Sequence, residues 1–180
     1  MDDTRQIRNL ALTGFMGCGK STIGRQVARE LKFDFVDTDG LIEEHTGRTI
    51  AEIFEHAGEA AFRKLENEVV RQLEARQGVV IATGGGLVEQ SGNLDSLKRH
   101  ALVVCLWASV EAIWERTRRQ THRPLLQTAD PQASIRELLA RREPYYKQAD
   151  VIVNTEFRPI REVAGQVKHQ FLESRRKVGQ

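Results

Sequence analysis

The 180-residue chain is poor in the residues on which stapled domains rely. Its two cysteines, Cys18 and Cys105, lie far apart, so neither a disulfide framework nor a cysteine-based zinc site can be assembled. Its five histidines show no ligand spacing. Neither sign of charge prevails: 27 Lys and Arg stand against 25 Asp and Glu, a formal net charge of +2. A protein that coats nucleic acid is therefore not expected, and any basic function must come from a local cluster. No apolar run approaches the ~20 residues needed to span a bilayer. The charged start, MDDTRQIRNLAL, lacks the apolar centre of a signal peptide. With only four prolines and 14 glycines, collagen-like and disordered classes are also excluded. The expectation is a reduced, cytoplasmic, soluble protein.

What is present is an ordinary globular composition, 40% hydrophobic and 29% charged. At about 100–200 residues per domain the chain, 1–180, reads as one domain, large enough to bury a core without staples. Short apolar runs alternate with amphipathic stretches. Leu10 to Leu12 ends the first run, and Lys20 to Leu31 follows with Ile23, Val27 and Leu31 on one helical face. Phe33 to Val36 is a second run. Thr49 and Glu52 form a capping-box pattern ahead of a helix that Gly58 interrupts. Phe62, Leu65, Val69 and Leu73 then share a face. Val79 to Ala82 and Leu102 to Trp107 read as buried strands, and Ser109 caps the helix after the second. Asp130-Pro131 opens another helix. Val151 to Val153 is a last strand, followed by a helix from Pro159; the polar tail from Glu173 is expected to fray. Five such strands alternating with helices predict an α/β fold, a three-layer α/β/α sandwich around a parallel sheet. Ligands gather at the carboxyl ends of strands in such folds, which directs attention to Gly14–Thr22, Asp37–Asp39 and Thr83–Gly86.

Gly14-Phe15-Met16-Gly17-Cys18-Gly19-Lys20-Ser21 fits G-x-x-x-x-G-K-[ST] without mismatch. Glycines let successive N–H groups turn inward on phosphate oxygens, and the following helix aims its positive end at the same place. Lys20 is expected to reach the β- and γ-phosphates and Ser21 to ligate Mg²⁺. Met16, Gly17, Cys18, Gly19 and Thr22 complete the nucleotide cradle. Cys18 is read as a small loop residue of which only the backbone is used. Asp37 and Asp39, read as alternate residues of an extended segment, are expected to point the same way. One would orient the waters of Mg²⁺ while the other accepts a hydroxyl proton. Gly84, Gly85 and Gly86 permit close backbone approach by a ligand.

Taken together these residues resemble the shikimate kinase family, with the GxMGxGKST loop, DxD, a downstream Phe62-Arg63, Thr83-Gly84-Gly85-Gly86, Arg123-Pro124-Leu125-Leu126 and Arg142-Glu143-Pro144-Tyr145-Tyr146, in the family's order over nearly the whole chain. The resemblance implies a P-loop NTPase sheet of order 2-3-1-4-5, with a substrate-binding insert at about 33–62 and a mobile lid at about 117–127. It implies ATP- and Mg²⁺-dependent phosphorylation of the 3-hydroxyl of shikimate, in the chorismate route to aromatic amino acids, by a monomer. Asp39 would bind the substrate hydroxyls and act as general base, and Asp37 would hold Mg²⁺ through water. Arg63 and Arg142 would grip the substrate carboxylate, since a planar guanidinium matches it in bidentate fashion. Gly85, within the floor of Gly84 to Gly86, would offer a backbone contact. Arg123 would descend on the transferring phosphoryl group, and Arg116 and Arg158 would lie near the adenine. Cys18 departs from the smaller or hydroxylated residue usual at its position. The alternatives are a related gluconate or nucleoside monophosphate kinase, and an ATP-binding regulatory protein without kinase activity. The acceptor residues distinguish them: Asp39, Arg63, Arg142 and the glycine floor suit a polyhydroxy carboxylate.

Overall fold

The computed structural model describes residues 6–119 and 128–178. Arg123 and the Arg-Pro-Leu-Leu motif lie outside the described residues. Five parallel strands, β1 (Asn9–Thr13), β2 (Asp34–Asp37), β3 (Val79–Ala82), β4 (Ala101–Trp107) and β5 (Val151–Asn154), form one sheet in the order β2-β3-β1-β4-β5. Both the parallel sheet and its strand order agree with expectation. The three central strands are almost wholly buried and apolar except for Asn9 and Thr13 at the two ends of β1, as strands covered on two faces must largely be.

The helices are α1 (Lys20–Leu31), α2 (Thr38–Thr46), α3 (Ile50–Leu73), α4 (Asn93–His100), α5 (Val110–Thr117), α6 (Pro131–Tyr146) and α7 (Ile160–Val178). α1 packs on α7 and both reach the sheet, while α3 packs on α4, which covers β4. The capping box at Thr49 and Glu52 is complete. Gly58, at φ 77° and ψ 175°, breaks α3 into two helical pieces. Ser109 and Asp130 cap α5 and α6.

Four elements differ from the sequence reading. The segment after β2 is not extended: Asp37 caps α2 and Asp39 lies in its first turn. α4 was not anticipated: it is only eight residues long, and Leu94 and Leu97 are its only large apolar residues. The tail expected to fray from Glu173 continues as α7 to Val178, where Phe171 anchors it by an edge contact to Phe33 at 5.6 Å between centroids. Thr117, the first residue of the expected lid, is buried at the end of α5 and its hydroxyl donates to the Ile113 carbonyl at 2.7 Å.

Candidate active site at the carboxyl ends of the strands

The loop after β1 carries three glycines with positive φ, Gly14, Gly17 and Gly19. At Gly14 no other residue fits, since a Cβ would stand 2.3 Å from the Leu106 carbonyl oxygen of β4. The loop is thus pressed against the sheet and delivered to α1, whose N-cap, Gly19, supplies no side-chain acceptor and whose first turn holds no acid. Those amides present a positive terminus suited to an anion. Lys20 Nζ donates to the carbonyls of Gly14 at 2.8 Å and Phe15 at 2.9 Å, which holds it over the loop. Cys18 is buried, and burial pushes its thiol above the usual range. Its side chain is turned into the protein, as expected of a residue that contributes only backbone.

Residues 16–23 line a cleft of about 620 Å³ together with Asp37, Asp39, Thr83, Gly84 and Gly85. Arg116, Thr155, Arg158, Ile160 and Val163 form its far end. Arg116 is held there by three hydrogen bonds, to the Gly17 carbonyl at 3.3 Å, Thr155 Oγ1 at 2.9 Å and the Thr155 carbonyl at 2.7 Å. Arg158 is fixed by Glu162, the Asn154 carbonyl and Gln166. Both arginines line this end of the cleft and are tied to protein groups.

Ser21 Oγ donates to Asp37 Oδ2 at 2.9 Å, and Asp37 Oδ1 accepts from the Asp39 amide at 3.2 Å. A hydroxyl and a carboxylate meeting beside a phosphate loop are hard oxygen donors of the kind that hold Mg²⁺, so these residues fit that ion.

Beyond this cleft the glycine floor gathers the remaining groups. A Cβ on Gly84 would stand 2.6 Å from Asp39 Oδ1 and 3.2 Å from Glu66 Oε1. A Cβ on Gly86 would stand 2.9 Å from Arg142 Nη2 and 3.0 Å from Arg63 Nη1. Asp39 and the two arginines thus converge on one stretch of backbone, from α2, α3 and α6. The floor is anchored from below: the Gly84 amide donates to Thr38 Oγ1 at 2.9 Å, and the buried Tyr146 hydroxyl donates to the Gly85 carbonyl at 2.7 Å. Burial pushes the Tyr146 phenol well above its usual range, which keeps it a donor.

Arg63 donates to Glu66 Oε2 at 2.7 Å and to Glu59 Oε1 at 2.8 Å. Glu66 is buried, and its carboxyl is pushed up chiefly by that burial, against the lowering effect of Arg63; the charge of Asp39 pushes the same way as burial. Arg142 Nε donates to Glu89 Oε1 at 2.6 Å. The sequence reading missed Glu66, Glu89, Thr155 and the anchoring hydroxyls. The Arg63-x-x-Glu66 spacing on one helix could have revealed the first, since such residues are neighbours. Nothing in the sequence signals that residue 89 meets residue 142.

A phosphate loop on a 2-3-1-4-5 sheet, facing an acidic and basic acceptor site, defines a P-loop phosphotransferase. The family model "Shikimate kinase" matches residues 16–172. A shikimate kinase from Thermodesulfovibrio yellowstonii is 43% identical over 165 residues, covering 92% of this chain and 95% of the relative. The chain belongs to the shikimate kinase family. The solved shikimate kinase from Acinetobacter baumannii in complex with shikimate superposes with a TM-score of 0.88 at 39% identity, covering 94% of this chain and 96% of that one. A gluconokinase from Sinorhizobium meliloti, at 16% identity and a TM-score of 0.64 with 97% of each chain covered, shares the fold alone.

Proposed function

We propose that the chain transfers the γ-phosphoryl group of ATP to the 3-hydroxyl of shikimate, with the acceptor held on the Gly84–Gly86 floor between Asp39 and the Arg63–Arg142 pair. The observation that carries this reading is the convergence of one carboxylate and two guanidiniums on that floor, next to the phosphate loop. Two cations suit the single carboxylate of a small hydroxy acid, and a carboxylate opposite them suits its hydroxyls. A base-binding pocket requires neither.

In this reading the loop amides and the α1 terminus hold the ATP phosphates, and Lys20 exchanges its loop carbonyls for the β- and γ-oxygens. Ser21, with Asp37 through water, would hold Mg²⁺, which supplies neutralising charge to the phosphates when bound. Arg116 and Arg158 flank the adenine end. Asp39 orients the attacking hydroxyl and takes its proton. In a loose transition state that transfer comes late, so positioning is the larger part of its role. Arg123 is assigned to the transferring group by resemblance. The segment from α2 to the break at Gly58, with Arg63 beyond it, serves as the acceptor insert, and the protein acts in the cytoplasm as a monomer.

The test is ADP release measured with a panel of acceptors, each with ATP and Mg²⁺. Release that depends strictly on shikimate is expected. Release with gluconate or a nucleoside monophosphate but not with shikimate overturns the assignment.

A further inference from the structure

Arg142 has two possible sources of a fixed orientation, its own helix and a carboxylate that sits on the loop it faces. Glu89 ends the short 3₁₀ turn Leu87–Glu89, which follows Gly86 directly, and its amide donates to the Gly86 carbonyl at 3.0 Å. Its Oε1 accepts from Arg142 Nε at 2.6 Å, with the Arg142 and Glu89 side chains only 11% and 14% exposed. We propose that Glu89 is a positioning residue for the acceptor site: it occupies Arg142 Nε and thereby turns the Nη1 and Nη2 edge toward the glycine floor for an incoming carboxylate. The proposal rests on the reading that Arg142 binds the carboxylate of shikimate.

The arrangement argues for positioning over simple charge pairing. The nitrogen taken by Glu89 is the one a bidentate clamp can spare. The terminal nitrogens lie over the floor, with Nη1 3.3 Å from a Cβ placed on Gly85 and Nη2 2.9 Å from one placed on Gly86. Glu89 is also shared, since its Oε2 stands 3.5 Å from Nε of the exposed Arg141. One carboxylate between two guanidiniums leaves the cluster with net positive charge, so it can still attract an anion. The Arg142 guanidinium also lies over the Phe15 ring, with Cζ 5.8 Å from the centroid, which restricts its swing on another side. Because Glu89 and the floor belong to one turn, any movement of the floor carries the arginine with it.

The experiment compares Glu89→Ala, Glu89→Gln, Arg142→Ala and the double variant Glu89→Ala/Arg142→Ala in steady-state kinetics, each varied against shikimate and against ATP. Glu89→Ala is expected to raise the shikimate KM by roughly tenfold, the size of one lost charge-assisted hydrogen bond, and to leave the ATP KM unmoved. Glu89→Gln keeps an oxygen acceptor for Nε–H and is expected to restore most of the loss. In the double variant, removal of Glu89 should add nothing to the effect of Arg142→Ala. A lower shikimate KM in Glu89→Ala would show that Glu89 competes with the substrate for Arg142, and an unchanged KM would show that it does nothing there; either overturns the proposal. Parallel rises in both KM values with a lowered Tm would reduce Glu89 to a structural part and also overturn it. If Arg142→Ala itself leaves the shikimate KM unchanged, the underlying reading fails first, and the proposal with it.

Discussion

Asp39 stands in the first turn of α2 with its carboxylate against Gly84, a place no side chain larger than glycine would leave it. Asp37, two residues earlier, divides its oxygens between Ser21 and the Asp39 amide. The two acids are therefore not interchangeable, although the sequence presents them as a symmetrical pair. Asp39→Asn keeps the volume and removes the proton acceptor, and it should lower kcat by at least ~10²-fold, within the usual contribution of acid–base catalysis. Near-normal turnover in a coupled ADP assay would refute the role. Arg63 forms a fork with Glu59 and Glu66, and a lysine has no planar fork to offer. Arg63→Lys should chiefly raise the shikimate KM, and an unchanged KM would count against a carboxylate grip. At Cys18 burial holds the thiol above its usual range although the neighbouring Lys20 and Arg116 pull it toward ionisation.

Among the elements, the glycine turn and α3 separate binding from stability. Gly86 has an unremarkable backbone conformation, φ −98° and ψ −4°, so alanine is tolerated by the chain itself. What its methyl meets are the guanidinium ends of Arg142 and Arg63, at 2.9 to 3.1 Å, rather than backbone. Gly86→Ala should therefore fold normally, with a Tm close to that of the parent, and raise the shikimate KM at least about tenfold through two displaced charge-assisted contacts. A large fall in Tm with kinetics unchanged would show that the glycine serves packing instead. The opposite is expected at Thr49. Its capping box closes the exposed start of α3, ahead of the break at Gly58, whereas Arg63 follows the break. Thr49→Ala should cost about 1 kcal/mol of stability in denaturant unfolding and leave the shikimate KM alone. A shift in that KM would mean that the two pieces of α3 move together.

At the scale of the whole molecule, β1 and α4 are joined away from the site by Asn9 and His100. The Asn9 Oδ1 accepts from the Val79 amide and its Nδ2 donates to the Arg76 carbonyl, so Nδ2 also donates to His100 Nδ1 at 2.9 Å and requires an unprotonated acceptor there. Burial holds the His100 pKa below the ordinary 6.5. A histidine depressed in the fold contributes stability fully above its unfolded value and loses it as pH falls below about 6.5. The Tm should thus decline from pH 7 toward pH 5.5, and His100→Gln should decline less; equal slopes would exclude His100 as the cause. The raised pKa of Glu66 acts with the opposite sign, its contribution being lost as pH rises above the ordinary 4.5, so the comparison between variants is the decisive one. No helix among the described residues is long and apolar enough to cross a membrane. The parallel sheet and the phosphate loop were legible because their signals are local: apolar runs such as Val79–Ala82, a glycine pattern, a capping box within four residues; the strand order came only with the family resemblance. Asp39, Arg63 and Arg142 were legible as residue types by resemblance, since their motifs stand in a family order. The helical start at Thr38 was hidden because D-x-D alone does not distinguish a strand end from an N-cap. Glu89 on Arg142, Tyr146 on Gly85 and Arg116 on Thr155 join residues 39 to 61 positions apart. Only the folded chain decides such contacts, because parallel strands bring distant loops to one edge of the sheet, and no periodicity along the sequence records which loops will meet.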